Sequence, residues 1–175
     1  MSIWVLDDGP FGALARFFDS AWQWPPATLH LVREVASGAK FDKSGRRQKL
    51  LAMTSGGSPC FAVHDILEGT PTASMLYEYL RLSSTNATRD LGEDASIAFC
   101  AMERTDAIFV TQDKGAALVA LAELGRGRVS TPFDLWHELA GSGLISHDQF
   151  QLLCESTRKS DNAWPGVPAR FGKSS

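Results

Sequence analysis

The stretch Leu91 to Lys114, LGEDASIAFCAMERTDAIFVTQDK, sets acidic residues against two apolar elements in quick succession. From Glu93 to about Arg104 the pattern is that of an apolar helix opened by Glu93 and Asp94. The run Ala107-Ile108-Phe109-Val110-Thr111 then reads as a buried strand that ends in Gln112-Asp113. Helix followed by a continuously apolar strand is the unit from which parallel α/β sheets are built. Two carboxylates, Asp94 and Asp113, then fall at neighbouring ends of elements.

The rest of the chain repeats this alternation. Ile3 to Leu6 is an apolar run broken by Asp7-Asp8-Gly9-Pro10, which predicts a central parallel strand ending in a turn with two acids. Open α/β sheets place their sites at that end of the strand. Phe11 to Trp24 is helix-like, with Leu14, Phe17, Phe18 and Ala21 on one side, and Pro25-Pro26 stops it. Thr28 is expected to cap a second helix through about Ala39, with Leu31, Val32 and Val35 as its apolar stripe and Glu34 beside it. Lys40 to Lys49 is polar and basic, Leu50 to Met53 apolar, and Thr54 to Pro59 reads as flexible. Cys60 to Val63 resembles a strand. Thr72 to Leu82 resembles a helix that buries Met75, Leu76, Tyr79 and Leu80, and a polar loop follows from Ser83 to Arg89. Beyond Asp113 come a helix from Ala116 to Leu124, a short strand over Val129 to Thr131, and helices from Pro132 to Ala140 and His147 to about Ser156. The pattern predicts one α/β domain over residues 1–157, a three-layer sandwich with a mostly parallel central sheet flanked by helices. Residues 158–175, rich in Pro, Gly, Ser and Lys, are expected to form an extended or disordered arm.

With 175 residues, 44% of them hydrophobic, the chain can bury a real core. A formal charge of -3 excludes nucleic-acid binding by bulk electrostatics, so such a partner needs a local basic patch. No apolar run reaches membrane-spanning length, and strand-like residues begin at Ile3, which predicts a cytoplasmic protein without a leader. Cys60, Cys100 and Cys154 are isolated from one another, lack zinc-site spacing and are expected to be buried and reduced. There is no Gly-x-Ser-x-Gly elbow, no cysteine partnered by histidine and no P-loop. His30, His64, His137 and His147 read as packing or surface residues.

Four carboxylates recur at element ends or beside apolar stripes: Asp7, Glu34, Asp94 and Asp113. Gathered by folding, such a group would repel itself unless cations neutralised it, and hard divalent ions, Mg²⁺ or Mn²⁺, are the natural answer. Each acid also has a simpler reading. Asp7 and Asp8 are turn formers as readily as ligands; Asp7 is nearer the strand. Asp94 shares a helix face with Ile97, Ala98 and Ala101 and is read as a ligand, whereas Glu93 fits a capping box with Asp90. Glu34 could pair with Arg33 or Lys40, and Asp113 could cap the following helix. Thr111 could orient a carboxylate or water, or simply be a β-branched strand residue. Arg46, Arg47 and Lys49 read as a solvated face before they read as phosphate contacts. Trp22, Trp24 and Trp164 suit either a partner surface or the core.

Four segments carry a family resemblance. VLDDGPFGAL (Val5 to Leu14) resembles the opening strand and turn of PIN-domain ribonucleases, and LVREVASG (Leu31 to Gly38) their acidic second helix. LGEDASIAFCA (Leu91 to Ala101) is similar to their central acidic helix, and FVTQDKGA (Phe109 to Ala116) to their strand followed by Thr-x-Asp. The resemblance runs to about Ile145, departs over Lys40 to Pro59 and after Ser156, and is nearest to VapC-type toxins of toxin-antitoxin pairs. It implies a PIN-like fold and a metal-dependent endoribonuclease, with Asp7, Glu34, Asp94 and Asp113 as Mg²⁺ or Mn²⁺ ligands and Thr111 in support. Implied partners are RNA, a cognate antitoxin protein and a second copy in a homodimer. Two alternatives stand beside it: a PIN-like module that binds RNA or protein without cutting, and a phosphoacceptor receiver domain built on Asp7-Asp8, Asp65, Thr111 and Lys114.

Overall fold

In the computed structural model, which describes residues 2–18, 24–83 and 91–159, short apolar runs become the strands of one sheet. They are β1 (Trp4–Leu6), β2 (Leu29–Val32), β5 (Phe61–His64), β6 (Ile108–Val110) and β7 (Val129–Ser130). Their spatial order is β5-β2-β1-β6-β7, and each pairing between neighbours is parallel. Trp4, Val5, Leu6, Leu29, Leu31, Phe109 and Val110 have no exposed surface. Burial on both faces explains why these strands read as unbroken hydrophobic runs. The chain builds outward from β1 to β5, returns, and continues through β6 to the other edge. The topological switch point therefore lies between β1 and β6.

Helices cover both faces. On one side α5 (Leu91–Met102) packs on β1, β2 and β6 and is flanked by α2 (Arg33–Ser37), α4 (Pro71–Ser83) and α6 (Lys114–Leu124). On the other, α1 (Asp8–Arg16) packs on β1 and against α3 (Arg46–Leu51) and α8 (His147–Arg158), and α8 in turn packs on α7 (Pro132–Gly141). The result is the three-layer α/β sandwich expected from the sequence. All three cysteines are free and buried, and burial pushes their thiols up, that of Cys100 to about 12. No helix among the described residues is long and apolar enough to cross a membrane.

Several local readings are corrected. The segment read as a helix capped by Thr28 begins as β2, and helix follows only at Arg33. Leu31, Val32 and Val35 suit a helical stripe by spacing, but they straddle a strand-to-helix junction, where pairing with β1 and β5 on both sides outweighs local propensity. Thr54 to Pro59 is not a flexible linker. It folds into a hairpin of β3 (Thr54–Ser55) and β4 (Ser58–Pro59), turning on Gly56 and Gly57 with φ of 59° and 82°. Positive φ at both turn residues is what a two-residue type I′ hairpin demands, and glycine supplies it without strain. The first helix ends at Arg16, well short of Trp24, and Ala21 and Trp22 lie outside the described residues. Trp24 is core, 1% exposed, its ring tilted against Phe61 and its Nε1–H donating to the Leu144 carbonyl at 2.7 Å. In α4 the buried side runs through Thr72, Ala73, Leu76 and Tyr79, while Leu80 is exposed. Helix α8 reaches Arg158, one residue into the expected arm. The remainder of that arm from 160 onward, Trp164 included, lies outside the described residues, as do Asp90 and most of the loop from Ser83 to Arg89.

One buried polar contact was not anticipated. His30 on β2 and His64 on β5 share a hydrogen bond of 2.9 Å between Nδ1 and Nε2, their rings stacked at 5.1 Å, and His64 rests on Phe99 of α5. Burial, then the neighbouring His64 and Arg104, lowers the His30 pKa from 6.5 to about 4, against a weaker opposing pull from Asp106. Burial also lowers that of His64. Between those two values the unfolded chain binds a proton that the fold refuses, so stability falls as pH drops from about 6.5 to about 4. The loss is expected to be on the order of 2 to 3 kcal/mol. Urea midpoints across this window should decline in the native chain and flatten in His30→Gln.

Candidate active site at the carboxyl ends of β1 and β6

β1 stops where a carboxylate can be held. The Asp7 amide donates to the Val110 carbonyl at 3.0 Å, which continues the β1–β6 ladder one residue past the strand, while the Asp7 carbonyl accepts from Phe11 N at 3.1 Å. Asp7 caps α1, with Oδ1 accepting from Asp8 N at 2.6 Å. Its Oδ2 accepts from the Thr111 hydroxyl at 2.6 Å. Thr111 directly follows β6 and is fully buried, and its amide donates to Ser130 at 3.3 Å. The same hydroxyl accepts from Asp113 N at 3.0 Å. Thr111 thus joins two acids across the switch point.

Asp113 caps α6, its Oδ1 accepting from Ala116 N at 2.8 Å. The capping role is therefore real, and it leaves Oδ2 for other work. Asp94 lies in the first turn of α5, 2% exposed. Together with Glu93 and Asp113 it lines a cavity of about 240 Å³ floored by Ile97, Ala116 and Val119. A Cβ at Gly115 would sit 3.0 Å from Asp113 Oδ1, so glycine here keeps that cavity's rim clear.

Glu34 stands in the first turn of α2, immediately past β2. Its expected partner Arg33 instead holds Asp65 at 2.7 Å, and Glu34 Oε2 is buried with no hydrogen-bond partner among the described residues. Glu34, Asp7 and Thr111 thus mark the carboxyl ends of three adjacent strands, and Asp94 comes from a helix packed on all three strands. Among the described residues no three His, Cys, Asp or Glu side chains stand in a group that could hold a metal ion. Direct hydrogen bonds link Asp7, Thr111 and Asp113, and a shared cavity links Asp94 to Asp113.

The receiver-domain alternative is not supported by this geometry. Asp65 follows the edge strand β5, two strands away from β1, and its carboxylate is exposed and engaged by Arg33, which holds it below the ordinary carboxylate range. It does not converge with Asp7 and Thr111.

The contacts of Asp8, Arg47 and Gln112 escaped the sequence reading because their partners are far away in the chain. Asp8, the other acid of the turn, is gripped through both carboxylate oxygens by Arg47 of α3, with Nη2 to Oδ2 at 2.9 Å. Gln112 packs against α1: a Cβ on Gly9 would come within 2.6 Å of its Nε2, so a larger residue there would displace the Gln112 side chain. Asp8, Gln112 and Arg47 face a second cavity of about 570 Å³, whose lining shares no residue with the acidic one. In comparisons with known proteins, no family model, no curated protein and no solved structure matches the chain.

Because the Thr111 hydroxyl serves both a buried carboxylate and the Asp113 amide, Thr111→Val should destabilise the fold by about 1 to 3 kcal/mol. Thr111→Ser, which retains the hydroxyl, should recover most of the loss in urea titrations followed by tryptophan fluorescence.

Proposed function

We propose that the chain is a Mg²⁺- or Mn²⁺-dependent endoribonuclease of the PIN type. The observation that carries this reading is the arrival of two deeply buried carboxylates, Asp7 and Asp94, at the crevice where the sheet changes direction, with Asp113 beside them. Carboxylates removed from water are costly unless protons, donors or cations compensate them.

The donor set is all oxygen, which suits hard divalent ions. Mg²⁺ keeps several waters and takes one or two protein carboxylates plus substrate phosphate, so a closed cage of three or more acids is not required. The fit is therefore to Asp94 and Asp113 at the small cavity, with Asp7 linked to Asp113 through Thr111 and the buried Oε2 of Glu34, without a hydrogen-bond partner among the described residues, as a further donor on the α2 side. Once bound, such an ion supplies Lewis-acid stabilisation of the phosphodiester and a water of lowered pKa. The protein's own contribution is positional. Thr111 and the Asp8 amide fix the orientation of Asp7, and the Ala116 amide fixes that of Asp113. Ile97 and Val119 exclude bulk water from one wall.

The resemblance to VapC-type toxins extends the proposal to a toxin acting on RNA in the cytoplasm, restrained by a cognate antitoxin and assembling as a homodimer. Asp94→Asn should lower Mn²⁺-dependent cleavage of RNA by at least about a hundredfold and weaken Mn²⁺ binding in calorimetry. EDTA should abolish cleavage by the native chain. Equal cleavage by the native protein and the Asp94→Asn variant would overturn the assignment, and RNA binding without any cleavage would favour the non-cutting module.

A further inference from the structure

The 570 Å³ cavity beside the switch point has no role in holding Asp7, Glu34, Asp94 or Asp113, and cations outnumber acids in its lining. Arg16, Arg46, Arg47 and Lys159 face it, with Asp8 and Asp42 as its acids among the described residues. Both acids are held by other residues of the cavity wall. Asp8 is held by the Arg47 guanidinium. Asp42 accepts from the Arg47 and Ser44 amides and the Ser44 hydroxyl, which lowers its pKa to about 2. Among the described residues neither Arg16 nor Arg46 is paired with a carboxylate, and Lys159 reaches only Glu155 at 3.8 Å. Two guanidinium groups and an ammonium thus face one cavity in a chain whose formal charge is -3.

The cavity is also built. Arg46 Nη1 donates to the Arg16 carbonyl at 3.0 Å, and Arg16 Nη1 to the Ser156 hydroxyl at 3.3 Å, so α1, α3 and α8 hold one another's cationic ends in place. A Cβ at Gly12 would meet Arg47 Nη2 at 2.5 Å, so α1 is hollowed where the guanidinium lies. Each Arg retains donors beyond those bonds, since a guanidinium carries five. Planar, fixed guanidinium groups match phosphate geometry.

We propose that this cavity binds a backbone phosphate of single-stranded RNA flanking the phosphodiester to be cut, with Arg16, Arg46 and Lys159 as its contacts. The inference rests on the ribonuclease reading for the identity of the strand. Gln112 lines the basic cavity and Asp113 the acidic one, so one short loop separates the two subsites. A strand crossing this loop would present one phosphate to the acids and a neighbouring phosphate to the cations. Acids alone repel a polyanion, and the adjacent cations offset that repulsion.

The test is metal-free and therefore independent of cleavage. In EDTA, fluorescence anisotropy of a labelled single-stranded RNA is measured against salt for the full chain and for Arg46→Gln/Lys159→Gln. Loss of two phosphate contacts should reduce the slope of log K against log salt by about 1.4, and Arg46→Lys alone should leave the slope near native. An unchanged slope in the double variant would overturn the subsite even if Mn²⁺-dependent cleavage is found. Conversely, a reduced slope with no cleavage would keep the subsite and sink only the nuclease. Inorganic pyrophosphate serves as the small-ligand arm. If it binds in calorimetry as tightly as the RNA and Arg46→Gln abolishes that binding, the site serves a free phosphate compound and the strand proposal fails.

Discussion

The hydrogen bond from Thr111 to Asp7 is the constraint around which the crevice is organised. It spans 104 residues of sequence and joins the first strand to the fourth main strand at the place where the sheet reverses direction. A carboxylate only 3% exposed requires donors, and the fold meets that need from two directions, the Asp8 amide at the head of α1 and the hydroxyl at the end of β6. Because that hydroxyl also accepts from the Asp113 amide, the end of β1, the end of β6 and the start of α6 form one bonded unit. In parallel sheets this edge is where carbonyl ladders run out and helices begin, so polar side chains are needed there for structure before any ligand is considered.

Around this unit, adjacent residues in the chain are sent to opposite duties. Asp7 turns inward to Thr111, while Asp8 turns outward to Arg47. Gln112 faces the cationic cavity, while Asp113 faces the acidic one. The separation follows from helix and loop geometry, in which successive side chains diverge. It keeps Arg47 from neutralising Asp7, whose charge the proposed metal requires.

Legibility in the sequence followed the range of the interactions. β1, α5, β6 and α6 were readable because each is specified locally, by an apolar run or by an apolar helix with acids at its head. The hairpin at Gly56-Gly57 carried a turn signature, yet its polar composition suggested flexibility instead. β2 was misread because its identity comes from the two strands on either side, and neither is near it in sequence. Trp24 suited either a partner surface or the core, because its indole finds Leu144 and Phe61 only in the folded chain. The same limit hid the site's surroundings. Asp7, Thr111, Asp94 and Asp113 could be singled out from position at element ends, whereas the Arg47–Asp8 grip, the Gln112 contact on Gly9 and the His30–His64 pair join residues 34 to 103 positions apart. Spacing arguments do not reach them.

The strand order explains why acids so far apart in the chain approach one edge without forming a single cluster. Successive strands in a sheet lie roughly 5 Å apart, so carboxylates following β2, β1 and β6 are spread along the crevice by geometry, and only a helix laid across them can close the gap. α5 fills that place, packing on all three strands and on α2. Asp94, pointing down from this helix, is the one acid not tied to a strand end, and it shares its cavity with Asp113 rather than with Glu34. The edge therefore divides into a fixed side, where Asp7, Thr111 and Asp113 are bonded to one another, and an open side, where Glu34 Oε2 is buried without a hydrogen-bond donor among the described residues. An unsatisfied carboxylate oxygen costs free energy in the isolated fold. A cation reaching that side would recover this cost, so the same burial that destabilises Glu34 would strengthen its hold on the ion.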